Sequence, residues 1–497
     1  MRLAELLSVA GARPPDGAVL AEAEVRGVTA DSRSVTPGLL FAALPGSRAD
    51  GRAFIPAAEA AGAAAILAPE GTAPGRAPML WAADPRRALA LAAAALAGPQ
   101  PGCVVAVTGT NGKTSTVDFL RQLWTLAGHR AASIGTLGLV AEGFPPGPSL
   151  TTPDPVALHA MLARLAAAGV THVAMEASSH GLDQRRLDGV RLAAAGFTNL
   201  TRDHLDYHGD MAGYRAAKLR LFNALLPDGA AAVANADMDA ATLAALRVRP
   251  GLLTVGEAGC GLRLRRQQPR PDGQELNIAV QGETRSLHLP LVGRFQADNA
   301  LLALALAMAC GMPAAQGLAL LPRLKPVRGR LELAATLANG AAVYVDYAHT
   351  PDGLRTLLRS LRPHASGRLL VVFGAGGDRD PGKRPLMGAA CAELADRCLV
   401  TDDNPRSEDP AAIRAAVLAG CLGGLDAGDR RHASALALAE WQPGDVLAVA
   451  GKGHESGQTI GGTTHPFDDV AVVRDLVRAM PDDRNAAAPE AQDRLRP

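Results

Sequence analysis

CVVAVTGTNGKTSTVD, residues 103–118, is the stretch whose reading decides the fold. It reads as a short buried strand, a glycine turn and the first turn of a helix. Val104, Val105 and Val107 form the β-branched run of a buried strand, and Val117, Leu120 and Trp124 then recur at helical spacing until Gly128. Between them, Gly109 and Gly112 let backbone N–H groups turn inward at a helix N-terminus, where partial positive charge favours an anion. Lys113 adds a full positive charge for terminal phosphates, and Thr114 offers a hydroxyl to Mg²⁺. The match to the general phosphate loop is incomplete, because Val107 stands where that pattern has its first glycine. An ordinary strand-to-helix loop is the plain alternative, and the flanking strand and helix favour nucleotide binding.

Outward from this stretch, 497 residues are too many for one core and imply two to four domains. With 50 basic and 49 acidic residues the formal charge is +1, which argues against a polyanionic partner or an acidic membrane surface. Aromatic residues make up only 3% of the chain, so base-stacking recognition of nucleic acid is disfavoured. Cys103, Cys260, Cys310, Cys391, Cys398 and Cys421 lack metal-ligand spacing; they read as buried small apolar residues in a reducing compartment, and zinc is not implied. The first residues carry no secretion pattern, and the Ala/Leu runs at 88–97 and 301–309 are too short to span a bilayer. A cytoplasmic protein without membrane insertion is expected.

Residues 1–98 mix short strands at 39–44 and 64–67 with helices at 56–61 and before Gly98, a small α/β unit. Gly98, Pro99, Pro101 and Gly102 then mark a boundary. From Val104 strands alternate with helices, which predicts a parallel sheet whose carboxyl ends collect ligands. Strands at 170–177, 193–198 and 230–234 each run into polar residues. Residues 263–291 alternate and predict an antiparallel excursion; 294–309 return to helix. Lys325, Pro326 and Gly329 mark a second boundary, after which strands at 343–346, 369–373, 398–401 and 446–450 predict a third α/β domain. The expected domains are 1–98, 99–327 and 328–480, with a disordered tail over 481–497.

Several strand ends carry groups with chemistry. Glu176 ends an apolar strand and can hold the Mg²⁺ that bridges nucleotide phosphates, although a strand-end glutamate facing solvent is common. The loop TNLTRDHLDYHG brings Asp203, His204 and Asp206 together; metal or phosphate contact and plain helix capping are both open. Lys218 by itself reads as a solvated lysine on a helix. Arg379 and Arg406 follow two further strand ends, in GAGGDRDPGKR and DDNPRSED, and can grip carboxylates through bidentate bonds. AGKGHE brings Gly451, Lys452 and Glu455, and Glu455 can pair with a substrate ammonium, so the three loops suit an amino acid. Incidental charge on surface loops is the alternative for each loop taken singly. The GxGG run after Phe373 is a weak dinucleotide pattern, since no acidic residue follows at the expected distance.

With TGTNGKT, MEASSHGL, TNLTRDHLDYHG, YRAAK, GRF..DN, VRGRLE, VDYAHTPD, GDRDPGKRPLMG, DDNPR and AGKGHE in this order, the chain closely resembles the Mur ligases over about residues 20–475. Within that family it is most similar to members that join meso-2,6-diaminopimelate to UDP-N-acetylmuramoyl-L-alanyl-D-glutamate in peptidoglycan precursor synthesis. The resemblance implies an α/β protein of three domains, with a central P-loop-type parallel sheet and a C-terminal Rossmann-like domain. It implies ATP as co-substrate and Mg²⁺ as cofactor. By position, Gly109, Thr110, Asn111, Gly112, Lys113, Thr114 and Ser115 would bind ATP phosphates, with Asn299, Arg330 and Asp346 on the adenine nucleotide. Thr114 and Glu176 would contact Mg²⁺ and His204 would help hold a second Mg²⁺; Lys218 matches a lysine carbamylated in this family, an anion able to support that second metal, which reverses the reading of it as solvated. Ala30, Ser32, Arg48, Ala49 and Asp50 match the uridine-nucleotide site; Thr151, Thr152, Ser178, Gln184 and Arg186 match the muramoyl-peptide site. Arg379, Asp403, Asn404, Pro405, Arg406, Gly451 and Glu455 match the diaminopimelate site, where Arg406 would hold the distal carboxylate that lysine lacks. Leu150 departs from relatives that have Asn before the Thr pair. A monomer acting on small molecules is implied. A lysine-adding or folylpolyglutamate-synthetase-like ligase and a nucleotide-gated binding protein are the rival readings.

Overall fold

The computed structural model describes residues 1–17, 23–46, 49–145, 147, 150–270, 272–336 and 341–480. The tail at 481–497, expected to be disordered, and Arg48 lie outside the described residues. The chain divides into two compact units, Met1–Val255 with Leu302–Gly317, and Gly256–Leu301 with the residues from Leu318 onward.

The first unit opens with four parallel strands, Gly27–Thr29, Leu39–Ala42, Ala65–Pro69 and Met79–Ala82, paired in that order. Leu3, Leu6 and Leu7 of helix Leu3–Ala10 and Leu89, Ala92 and Ala93 of helix Pro85–Ala97 close one face of this sheet. The longer helix starts where it does because Asp84 caps it, accepting from Arg87 N at 3.0 Å, and Pro85 occupies the first turn.

The second sheet of this unit holds strands Leu253–Gly256, Ala231–Asn235, Leu192–Phe197, Cys103–Thr108, His172–Glu176, Ala131–Gly135 and Gly138–Ala141 in spatial order. All pair in parallel except the last, which forms a hairpin with Ala131–Gly135. Cys103–Thr108 lies in the middle with both faces covered, which is why it reads as an unbroken apolar run rather than an alternating one. Register pairs Val107 with Glu176 on one side and Gly196 on the other, so three strand ends open at one level.

In the second unit, Leu262–Arg270, Gly273–Val280 and Glu283–Leu289 form the expected antiparallel excursion; the helix Arg294–Ala309 follows in the chain, its residues to Leu301 in this unit and those from Leu302 in the first. A six-stranded sheet follows in the order Glu332–Thr336, Ala342–Asp346, Val446–Ala450, Leu369–Phe373, Arg397–Val400 and Leu425–Asp426. Only its edge strand Glu332–Thr336 pairs antiparallel. Leu354, Leu357, Leu358 and Leu361 of helix Pro351–Leu361 pack beneath it with Val371, Phe373 and Ala448. The α/β class with parallel sheets is as expected.

Two readings change. Cys391, Cys398 and Cys421 are buried, but Cys103 and Cys310 are only half-buried and Cys260, in the turn before the antiparallel excursion, is exposed, so the expectation of six buried cysteines holds for three of them. Lys218, a solvated lysine when its helix is read alone, is 1% exposed. Among the described residues no helix is long and apolar enough to cross a membrane.

Candidate active site

The turn 109–112 is held in shape by the next strand's loop rather than by itself. Thr110 N donates to Asn199 O at 2.8 Å, Asn111 N to Asn199 Oδ1 at 3.0 Å, and Thr198 Oγ1 to Asn111 O at 2.6 Å. Gly109, at φ +142°, comes so close to that loop that a Cβ there would lie 1.9 Å from Thr198 Oγ1, which excludes any side chain. The turn delivers the N-terminus of helix Lys113–Leu126, where the partial positive charge of the helix favours an anion. Lys113 Nζ folds back onto Gly109 O at 2.9 Å and Thr110 O at 2.8 Å.

Glu176 sits beside this helix and is 1% exposed. Its Oε1 accepts from Thr114 Oγ1 at 2.9 Å and Thr136 N at 2.8 Å, and its Oε2 from Thr136 Oγ1 at 3.3 Å. The carboxylate is thus aimed at the phosphate turn, not at solvent. Among the described residues no cluster of three or more His, Cys, Asp or Glu could hold a metal. The neighbouring hydroxyl and carboxylate of Thr114 and Glu176 nevertheless fit Mg²⁺, a hard ion bound through one or two protein oxygens while water and phosphate supply the rest.

Lys218, on helix Met211–Arg220, donates from Nζ to Gly109 O at 2.7 Å and lies 4.5 Å from the Tyr214 ring centroid. Two lysine Nζ atoms therefore share one carbonyl. Burial, reinforced by the Lys113 charge, holds the Lys218 amine well below the ordinary lysine range, so it gives up its proton more readily than a solvated lysine. His204 takes φ +53° at the start of the short helix Leu205–His208, with Nε2 3.5 Å from Asp203 Oδ2. Burial lowers its imidazole too, with Lys113 and Lys218 adding to the effect.

The muramoyl-peptide candidates join this centre. Thr152 Oγ1 donates to Glu176 O at 2.9 Å and accepts from Ser178 N at 3.0 Å, while Thr151 Oγ1 lies 3.1 Å from Thr136 Oγ1. Arg186 donates to Thr152 O and to Gln184 Oε1, both at 2.7 Å, and Gln184 reaches the Tyr207 hydroxyl at 3.2 Å. Leu150 is 57% exposed. Ala30 and Ser32 follow strand Gly27–Thr29, and Ala49 and Asp50 follow Leu39–Ala42; these parallel strands are neighbours, so both loops leave one edge of the first sheet. Asp50 there accepts from Arg52 N at 3.0 Å.

In the second unit, Asn299 Nδ2 donates to Gln296 Oε1 at 3.3 Å, Gln296 to Arg330 O at 3.2 Å, and Leu331 N to Asp346 Oδ2 at 2.8 Å. The three adenine-nucleotide candidates thus form one chain of contacts, completed by Arg330 over the Tyr347 ring at 4.4 Å. Burial raises the Asp346 carboxyl against the pull of Arg330.

The amino-acid candidates leave three adjacent strand ends, after Phe373, Val400 and Ala450. The glycines after Phe373 allow close loop contact: a Cβ on Gly377 would meet Pro405 O at 1.9 Å. Arg406, at φ +54°, donates from Nη1 to Gly377 O at 2.6 Å, while Arg379 is exposed. Gly451 touches Asp403, since an added Cβ would lie 2.5 Å from Asp403 Oδ2. Asn404 Nδ2 donates to Glu455 Oε2 at 2.9 Å. Sequence reasoning missed Thr136, Asn199, Gln296 and Tyr207. Asn199 and Tyr207 lie inside a quoted motif and Gln296 stands at an unspecified position of GRF..DN, but nothing local distinguishes Thr136.

Three family descriptions match in chain order: Mur ligase family, catalytic domain, over residues 24–97; Mur ligase middle domain, over 107–307; and Mur ligase, glutamate ligase domain, over 329–453. The UDP-N-acetylmuramoyl-L-alanyl-D-glutamate–2,6-diaminopimelate ligase of Caulobacter vibrioides is 58% identical over 457 residues, covering 90% of this chain and 94% of that protein. The chain belongs to the Mur ligases. A second such ligase, from Mesorhizobium japonicum, is 52% identical over 483 residues, 95% of this chain and 99% of that protein. A solved structure of a UDP-N-acetylmuramoyl-L-alanyl-D-glutamate–2,6-diaminopimelate ligase is similar with TM-score 0.68 and 34% identity, covering 93% of this chain and 97% of that one. As a Mur ligase, this chain carries the phosphate turn, Glu176 and Lys218 in the region matched by the middle domain.

Proposed function

We propose that this Mur ligase joins meso-2,6-diaminopimelate to UDP-N-acetylmuramoyl-L-alanyl-D-glutamate at the expense of ATP, a step of peptidoglycan precursor synthesis. The observation that carries the proposal is the 58% identity, over nine-tenths of both chains, to a protein bearing that activity in its name. A carboxylate is a poor electrophile until one oxygen becomes a leaving group. The γ-carboxylate oxygen of the D-glutamyl residue attacks the γ-phosphorus of ATP, and the bond to ADP breaks. The diaminopimelate amine then attacks the acyl carbon, phosphate departs, and the ammonium nitrogen loses its proton to leave an amide.

In this reading Gly109, Thr110, Asn111, Gly112, Thr114 and Ser115 wrap the phosphates, and Lys113 swings from the Gly109 and Thr110 carbonyls to disperse charge on the transferring group. Mg²⁺, held by Thr114 and Glu176, would supply further charge neutralisation at the phosphate oxygens. Lys218 is the proposed site of a carbamate. Carbamate formation needs a neutral amine, which burial and Lys113 favour, and the product would turn repulsion between the two lysines into attraction and, with His204, support a second Mg²⁺. Asn299, Arg330 and Asp346 take the adenine nucleotide; Ala30, Ser32, Arg48, Ala49 and Asp50 the uridine nucleotide; Thr151, Thr152, Ser178, Gln184 and Arg186 the muramoyl peptide. Arg379, Asp403, Asn404, Pro405, Arg406, Gly451 and Glu455 take diaminopimelate. The assignment divides the chain at 98 and 327 into uridine-nucleotide, ATP and amino-acid domains, and has the enzyme work as a cytoplasmic monomer.

Incubation with the UDP-muramoyl dipeptide, ATP, Mg²⁺ and either meso-diaminopimelate or L-lysine tests this by phosphate release and product mass. Diaminopimelate-dependent release with a tripeptide product is expected. Preference for lysine, or ATP binding without substrate-dependent release, would overturn it.

A further inference from the structure

Lys452 stands two residues beyond strand Val446–Ala450, and its side chain is 0% exposed. A buried ammonium needs acceptors, and those it finds are not structural bystanders. Nζ donates to Asn404 Oδ1 at 3.0 Å and to Glu455 Oε2 at 3.0 Å, two side chains on separate loops that both belong to the proposed amino-acid site. Asn404 Oδ1 also accepts from Thr459 N at 2.9 Å. A flipped amide would set its NH₂ against an ammonium and a backbone N–H together, so the Asn404 side chain has one orientation. That orientation sends Nδ2 to Glu455 Oε2 at 2.9 Å. Glu455 is therefore anchored through Oε2 by two donors, neither of which uses Oε1, and its side chain keeps 32% exposure.

The neighbouring buried charge is balanced separately. Arg430, also 0% exposed, is paired with Asp469, Nε to Oδ1 at 2.8 Å, while its Nη1 stays 4.0 Å from Asp403 Oδ2. Loss of Lys452 would leave this pair intact. We propose that Lys452 is a positioning residue for the incoming amino acid: its buried ammonium locks the Asn404 amide and the Glu455 carboxylate so that Glu455 Oε1 receives a substrate ammonium. This rests on the amino-acid site assigned above.

The test is steady-state kinetics of Lys452→Met and Lys452→Gln, with KM measured for each of the three substrates. The expected result is a diaminopimelate KM raised about 10- to 100-fold, the scale of one or two lost charge-assisted bonds, with the ATP and UDP-dipeptide KM values within about twofold. A double-mutant cycle adding Glu455→Gln should be strongly non-additive in that KM, because the second change removes a carboxylate already released. An unmoved diaminopimelate KM, three KM values rising together, or failure of both variants to fold would show that Lys452 serves only the fold. Wild-type protein without diaminopimelate-dependent phosphate release refutes the parent reading instead, so the two failures are distinguishable.

Discussion

Replacing Glu176 by glutamine separates charge from shape at the centre of the phosphate site. The carboxylate accepts from Thr114 Oγ1 at 2.9 Å and Thr136 N at 2.8 Å through Oε1, and from Thr136 Oγ1 at 3.3 Å through Oε2. In Glu176→Gln the amide oxygen can take the Oε1 position and keep both shorter bonds, while the NH₂ meets a Thr136 hydroxyl able to accept. Only charge assistance is lost, about 1–2 kcal/mol of stability in total. The same change removes an anion proposed to help hold Mg²⁺, and the expected fall in kcat is about 10²- to 10³-fold, the size seen when one preorganised electrostatic contact is deleted. Glu176→Ala instead orphans the Thr136 N–H and two hydroxyls, about 1–3 kcal/mol for each donor left buried. Thermal unfolding and a coupled phosphate-release assay, run at several Mg²⁺ concentrations, read both quantities. Wild-type kcat in the glutamine variant would sink the metal assignment, and equal destabilisation by glutamine and alanine would sink the hydrogen-bond argument.

Arg406→Ala should lower the preference for diaminopimelate over lysine by about 10- to 100-fold, since a bidentate guanidinium contact to the distal carboxylate disappears; competition between the two amino acids measures this, and an unchanged ratio assigns the distal carboxylate elsewhere. Depleting bicarbonate should reduce wild-type turnover, and ¹³C-bicarbonate should give a carbamate resonance absent from Lys218→Ala; the same spectrum from both proteins rules out Lys218. Burial holds the His159 imidazole, 1% exposed with Nε2 2.9 Å from Asp188 O, below its ordinary value of 6.5. The native state binds this proton less readily than the unfolded chain, so its contribution is present above pH 6.5 and is lost as pH falls below that value toward the lowered native one. The melting temperature of His159→Gln should accordingly fall less steeply than wild type between about pH 7 and pH 5, and parallel curves would remove His159 from the acid response.

What the residues disclosed unaided was local or periodic. The β-branched run at 104–107 with its glycine turn predicted strand, loop and helix, because such spacing is imposed by backbone geometry over a few residues. The alternation at 263–291 likewise predicted an antiparallel excursion, and the helix at 294–309 matches in both bounds. Ordered motifs added the family. Tertiary structure alone decided which polar groups are buried and whom they meet. Thr114 and Glu176 are 62 residues apart in the chain, and Lys218 and Gly109 are 109 apart, yet each pair is hydrogen-bonded. Lys218 and Lys452 look like ordinary charged residues in sequence, because their helix and loop do not enclose them. Enclosure comes from strands and loops distant in the chain, and it is enclosure that depresses the Lys218 amine and fixes the Lys452 ammonium on Asn404 and Glu455.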